Sequence, residues 1–86
     1  MEYNVGVKAG VYMKDYEIVA TFLNDCAGAA HPQRSFEEVT LANTDDYIRR
    51  KHGEDFDKFQ KEIHPNGQII YSYACGVTYI YEFTEL

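Results

Sequence analysis

The chain contains no tryptophan, only two cysteines and two prolines, and eight basic residues among 86. Each shortage removes a class of protein. Cys26 and Cys75 are too few for the disulfide framework of a small secreted domain, so both read as free thiols of a reducing compartment. Eight Lys and Arg against fourteen Asp and Glu give a formal net charge of -6. That charge repels nucleic-acid phosphates and anionic lipid headgroups, which argues against direct nucleic-acid or membrane binding. No apolar run approaches the roughly 18 residues of a membrane span. The start Met1-Glu2-Tyr3-Asn4 also lacks a basic n-region, so a cytoplasmic location is expected. The six glycines stand apart at 6, 10, 28, 53, 67 and 76, and form neither a Walker loop nor a G-x-G-x-x-G fingerprint. A G-x-S-x-G elbow is likewise missing.

What is present is ordinary for a folded domain: 45% hydrophobic and 26% charged residues, in a length that suits one domain over 1–86. Tyr3, Val5 and Val7 alternate with Asn4, Gly6 and Lys8, the period-2 pattern of a half-buried strand. Residues 9–15 then connect it to a second strand over Tyr16–Leu23, its expected antiparallel partner. Cys26-Ala27-Gly28-Ala29-Ala30-His31-Pro32 reads as a loop of small residues. Segment 36–42 has capping-box spacing in Ser35-Phe36-Glu37-Glu38 yet carries Val39, Thr40 and Leu41; helix and strand are both open, and the β-branched residues favour a strand.

Thr44 offers an N-cap hydroxyl, with Asp45 and Asp46 in the first turn and Arg49-Arg50-Lys51-His52 in the last, a charge order that suits the helix macrodipole. A second helix is expected from Glu54, with Phe56, Phe59 and Ile63 on one face and His64-Pro65-Asn66-Gly67 ending it. Residues 68–84 are almost pure strand and exceed one strand's usual length, so Ala74-Cys75-Gly76 is expected to be a hairpin turn. The fold class is therefore α+β, an antiparallel sheet of four or five strands with two short helices on one face.

Candidate chemistry is thin. Cys26, His31, His52, His64 and Cys75 show no close ligand spacing, so no metal and no cofactor are expected. His52 reads as a solvated cap and Cys75 as a small buried filler. Adjacent carboxylates such as Asp45-Asp46 or Glu54-Asp55 do not face each other on a helix, and no nucleophile and base share a motif, so an enzyme is not expected.

Charge placement is more informative. Glu37, Glu38, Asp45, Asp46, Glu54, Asp55 and Asp57 put seven of the fourteen acids within 21 residues. Such a surface can imitate a phosphate backbone and steer association with the basic surface of a nuclease or other nucleic-acid-binding protein. A solvated helix face, with Glu54–Lys58 and Asp57–Lys61 as i,i+4 pairs, explains much of the same pattern. Eight tyrosines are the other departure, with Tyr71, Tyr73, Tyr79 and Tyr81 crowded into the last two strands. They suit either a contact surface or cross-strand packing.

Tyr3-x-Val5-Gly6-x-x-Ala9-Gly10, Asp46-Tyr47-Ile48-Arg49 and the ending Tyr81-Glu82-Phe83-Thr84-Glu85-Leu86 resemble, in the same order, segments of small phage-derived type II-C anti-CRISPR proteins. The resemblance covers about a quarter of the chain. It implies a non-enzymatic α+β inhibitor, acting in the cytoplasm of a bacterial host, that binds the HNH nuclease domain of Cas9 and blocks cleavage. Where that family has an Asp shortly after the Ala-Gly pair and a Ser-Cys pair before the closing segment, this chain has Val11-Tyr12 and Tyr79-Ile80. Those contact residues are not carried over, and the target is free to differ. The expected partner surface is basic, met by Asp15, Asp45, Asp46, Glu54, Asp55 and Asp57, with Tyr12, Tyr79 and Tyr81 as anchors. The alternative is a small homo-oligomeric accessory protein whose tyrosine-rich strands pair across a two-fold axis.

Overall fold

The computed structural model describes residues 7–8, 11–24 and 32–86. Strands β1 (Val7–Lys8) and β2 (Val11–Tyr12) form a small hairpin of their own. A five-stranded antiparallel sheet follows from β3 (Lys14–Asn24), β4 (Gln33–Leu41), β5 (Gln60–Ile63), β6 (Ile69–Ala74) and β7 (Val77–Glu85), in the order β4-β3-β7-β6-β5. Helix α1 (Thr44–His52) and a 3-10 segment (Gly53–Lys58) connect β4 to β5. The chain is α+β with an antiparallel sheet, as its composition indicates. Among the described residues no helix is long and apolar enough to cross a membrane.

Several elements follow from local chemistry. Segment 36–42 is extended through Leu41, within β4, with Ala42 in the bend that follows, in keeping with its β-branched residues. The hairpin turn falls at Ala74-Cys75-Gly76: Gly76 adopts φ 85°, a value open to glycine at little cost, and the Cys75 N–H donates to the Val77 carbonyl at 2.9 Å. Helix α1 has its acids first and its bases last, and Gly53 at φ 57° ends it by donating its N–H to the Arg49 carbonyl. The N-cap is Asn43 and not Thr44; the Asn43 side chain accepts from the Asp45 N–H at 2.8 Å. Thr44 is buried instead.

Three expectations are corrected. The second helix does not form: one 3-10 stretch ends at Phe59, whose φ of -76° and ψ of 141° are extended, and residues 60–63 become edge strand β5. His64-Pro65-Asn66-Gly67 is accordingly the β5–β6 turn, closed by His64 N–H to the Gln68 carbonyl and Gly67 N–H to the His64 carbonyl, both at 2.8 Å. The pairs Glu54–Lys58 and Asp57–Lys61 give way to Lys58–Asp55 at 3.4 Å and Lys61–Asp45 at 3.1 Å. Second, β3 pairs with β4 and β7, while Val7–Lys8 pairs with Val11–Tyr12, inside the stretch expected to be a connection. The remainder of the first predicted strand, and the loop 26–31 with Cys26 and His31, lie outside the described residues. Third, Cys75 is exposed in the hairpin turn and is no core filler.

Alternation along each strand assigns the two faces. Tyr16 and Ile18 of β3, Leu41 of β4, Tyr71 of β6 and Tyr81 and Phe83 of β7 point to the helix side and are buried with Tyr47 and Ile48 of α1. Phe83 and Ile48 are fully buried at 0% exposure. Rings meet edge to face, Tyr16–Phe83 at 6.1 Å, Tyr47–Phe83 at 5.5 Å and Tyr71–Phe83 at 5.4 Å between centroids.

Ile63 separates this fold from the two-helix reading, because it belongs to the core there and is 69% exposed here. Ile48→Ala is expected to cost about 3 kcal/mol through its transfer and cavity terms. Ile63→Ala is expected to stay within about 0.5 kcal/mol of the parent, both measured by urea denaturation.

Candidate protein-contact surface

The last two strands run antiparallel with Tyr71 opposite Tyr81 and Tyr73 opposite Tyr79, so all four tyrosines share the helix-side face. Their exposure then depends on where α1 covers them. Tyr71 and Tyr81 lie beneath it and are buried, at 1% and 8%. Tyr73 and Tyr79, nearer the hairpin turn, are half-buried.

Buried hydroxyls need partners, and both have them. The Tyr71 hydroxyl donates to the Asp45 carboxylate and accepts from the Thr44 hydroxyl at 2.7 Å. The Lys61 ammonium reaches the same carboxylate at 3.1 Å. Burial alone would raise the Asp45 pKa, but the hydrogen bonds from Tyr71 and Lys61, with the charges of Lys61 and Arg49, outweigh it and hold the group below the ordinary carboxylate value. Burial, followed by the Asp45 hydrogen bond, drives the Tyr71 phenol well above its usual range. Tyr47 is raised in the same way by burial and by donating to Glu37 at 2.7 Å. Asp45 therefore anchors the helix to β5 and β6 and is not a free surface charge.

The helix's other end meets an aromatic group. The His52 ring stands 4.7 Å from Tyr79 and 4.8 Å from Phe59, and its Nε2 lies 2.7 Å from the Tyr81 hydroxyl. Phe22 is 5.5 Å from Tyr79, and Phe59 is 5.2 Å from Tyr73. Phe22 is exposed, while Phe59, Tyr73 and Tyr79 are half-buried, so the group forms an aromatic apron extending past the helix end. A hollow of about 270 Å³ opens beside it, lined by Phe22, Tyr79, Tyr81, Arg34 and Lys51. The 3-10 segment places Glu54, Asp55 and Asp57 directly after His52, with Lys58 paired to Asp55. Phe59, which follows the 3-10 segment, links it to the apron through its contact with Tyr73.

The nine predicted contact residues thus separate. Glu54, Asp55, Asp57 and Tyr79 come together at the end of α1. Tyr81 is a core residue and Asp45 a structural one, so neither is available as a contact. Asp46 is exposed at the opposite end of the helix, bound to Arg49 at 3.1 Å. Asp15 accepts from Thr40 at 2.6 Å on the sheet face away from the helix, and Tyr12 is 65% exposed before β3. Sequence reasoning missed Phe22, Phe59, Tyr73 and His52. The alternation of β6 and β7 was the available signal for Tyr73; His52 was hidden by its place in a basic helix end, where a solvated side chain is the ordinary outcome.

Among the described residues no three His, Cys, Asp or Glu side chains are grouped to hold a metal ion. Comparison with protein-family models, with curated proteins and with solved structures finds no match.

His52 gives this surface a pH signature. Burial lowers its pKa below 6.5, against the smaller opposing effect of Asp55. The unfolded chain therefore binds the His52 proton more tightly than the folded one, and His52's contribution to stability is lost as pH falls through 6.5 and then through the folded value. The urea midpoint is expected to drop on acidification across that window, and His52→Gln is expected to flatten the drop. A variant with the parent's slope would place the effect elsewhere.

Proposed function

We propose that the protein is a non-enzymatic acidic inhibitor, of the kind carried by phages and mobile elements, that binds and blocks a bacterial defence nuclease. The observation that carries this reading is the acidic 3-10 segment set beside the aromatic apron. Glu54 and Asp57 are exposed and make no ion pair among the described residues. Phe22, Phe59, Tyr73 and Tyr79 supply rigid rings next to them. Rings that bury area at low entropic cost, beside carboxylates that steer a basic partner, suit a protein interface. The formal charge of -6 adds long-range attraction to any surface built to hold phosphates. The resemblance to type II-C anti-CRISPR proteins supplies the first target to try, the HNH domain of Cas9.

The tyrosine-paired oligomer has less support, because β7 is flanked by β3 and β6, and β5 covers β6 from Ile69 to Ser72.

The test is plasmid cleavage by purified type II-C Cas9 with the protein titrated in. Inhibition near stoichiometric ratios, weakening as salt rises, is the expected result. Glu54→Lys with Asp57→Lys should slow association at least about tenfold at low salt, read by stopped flow or biolayer interferometry. Asp45 must stay intact in this variant because the fold uses it. Full cleavage at large molar excess would remove Cas9 as the target, and unchanged association by the charge-reversed variant would remove the electrostatic mechanism.

A further inference from the structure

Among the described residues the sheet has two edges, and they are unlike. Strand β5 is four residues long, carries Lys61 and is followed by Pro65, features that discourage pairing with another strand. Strand β4 begins directly after Pro32, runs for nine residues with no proline or lysine among them, and is exposed from Gln33 to Glu38. A strand so placed turns alternate backbone N–H and carbonyl groups outward, in position to extend the sheet.

The side chains of β4 carry a pattern that selects what can pair with it. Phe36 is 70% exposed, more than any other large hydrophobic residue described. It stands opposite Val19, on the sheet face away from the helix, with Arg34 and Glu38 two residues to either side on that same face. Arg34 and Glu38 make no ion pair among the described residues. Charges on an edge strand ordinarily guard it, but here their signs are opposite and placed symmetrically about the apolar residue.

We propose that β4 is a dimerisation edge whose partner is β4 of a second copy of this chain, paired antiparallel about a two-fold axis through Phe36. An antiparallel pair related by such an axis keeps each face of the sheet continuous, so only registers that place residues of one face opposite each other are allowed. The register with Phe36 on the axis sets Phe36 against Phe36 of the second copy, and Arg34 against Glu38 twice. Moving one step along brings Glu37 onto the axis against itself and sets Phe36 against Glu38, which loses both charge pairs. On the helix side the chosen register places Ser35 opposite Glu37, whose carboxylate already accepts from Tyr47. Cross-strand aromatic and opposite-charge pairs are the units that stabilise such a ladder. The overlap from Gln33 to Val39 buries less than the roughly 1,200–2,000 Å² of a stable complex, so the dimer is weak and concentration-dependent.

Sedimentation equilibrium on the purified chain tests this. Reversible dimerisation with a dissociation constant on the order of 10–500 μM is expected, given the small interface. Phe36→Asp should weaken it at least about tenfold, as should Arg34→Glu and Glu38→Arg singly, whereas the double exchange Arg34→Glu with Glu38→Arg should restore it. Far-UV circular dichroism establishes that each variant folds; all three positions are exposed. A monomer up to about 1 mM overturns the proposal. So does a dimer indifferent to Phe36→Asp, and so does a double exchange as weak as its single components.

Discussion

One nine-residue helix must cover one face of a five-stranded sheet, and the rest of the structure follows from that mismatch. Five strands at about 4.8 Å spacing put the outer strands about 19 Å apart, while a helix with its side chains is about 10 Å across. The deficit is met by rings. Ile48 and Phe83 close the centre at 0% exposure, where helix and middle strand touch directly. Tyr16, Tyr71, Tyr81 and Tyr47 extend the apolar layer outward, each large enough to span ground that an aliphatic side chain would leave open. Tyrosine suits those positions better than phenylalanine because the layer is thin and the ring tips reach its margin. There a hydroxyl can find a partner: Glu37 for Tyr47, Asp45 and Thr44 for Tyr71, His52 for Tyr81.

The same hydroxyl bonds orient the helix. Tyr71 and Lys61 hold its first turn through Asp45, and Tyr81 meets its last residue at His52. Tyr47 donates to Glu37 of β4, on the helix side of the sheet at its other edge. Four strands thereby fix one short helix that would be marginal alone. The tyrosine excess is thus largely consumed by the interior. What remains for an outside partner lies beyond the helix end, where Tyr73, Tyr79, Phe59 and Phe22 are only partly covered.

The legible parts of the sequence were those whose signals are local. Val39-Thr40-Leu41 marked a strand, Asp45-Asp46 and Arg49 to His52 oriented a helix, and Cys75-Gly76 divided a hairpin, each by its own conformational preference. The segment from Phe56 to Ile63 misled because its apolar spacing of three and four fits a helix as well as it fits what forms. Nothing local in Gln60-Lys61-Glu62-Ile63 disfavours a helix; the hydrogen bonds that make it β5 come from Ile69–Ser72, across a turn. His64-Pro65-Asn66-Gly67 was recognisable as a turn, yet a turn signal does not say whether helix or strand precedes it. The candidate surface failed for a related reason. Asp45 and Asp46 are adjacent and alike in sequence, but one is bound to Tyr71 and Lys61 and the other faces solvent, and only the register of β6 against β5 decides which.

The acidic segment and the β4 edge lie on different parts of the molecule, and that separation bears on how they would work together. The 3-10 segment ends next to Phe59, whose ring lies 5.2 Å from Tyr73 of β6, while the apron's hollow reaches β4 at Arg34. Pairing through β4 extends the sheet in its own plane and leaves each acidic surface open. A two-fold axis through Phe36 would give one dimer two equivalent copies of the acidic segment. Two linked sites raise avidity only when both can be engaged at once, so a dimer gains against paired or clustered targets and little against isolated ones. A weak edge contact fits that division. On the proposed reading, the chain would act as a single-site binder at low concentration, and crowding several copies onto neighbouring targets would bring the β4 edges within reach of each other.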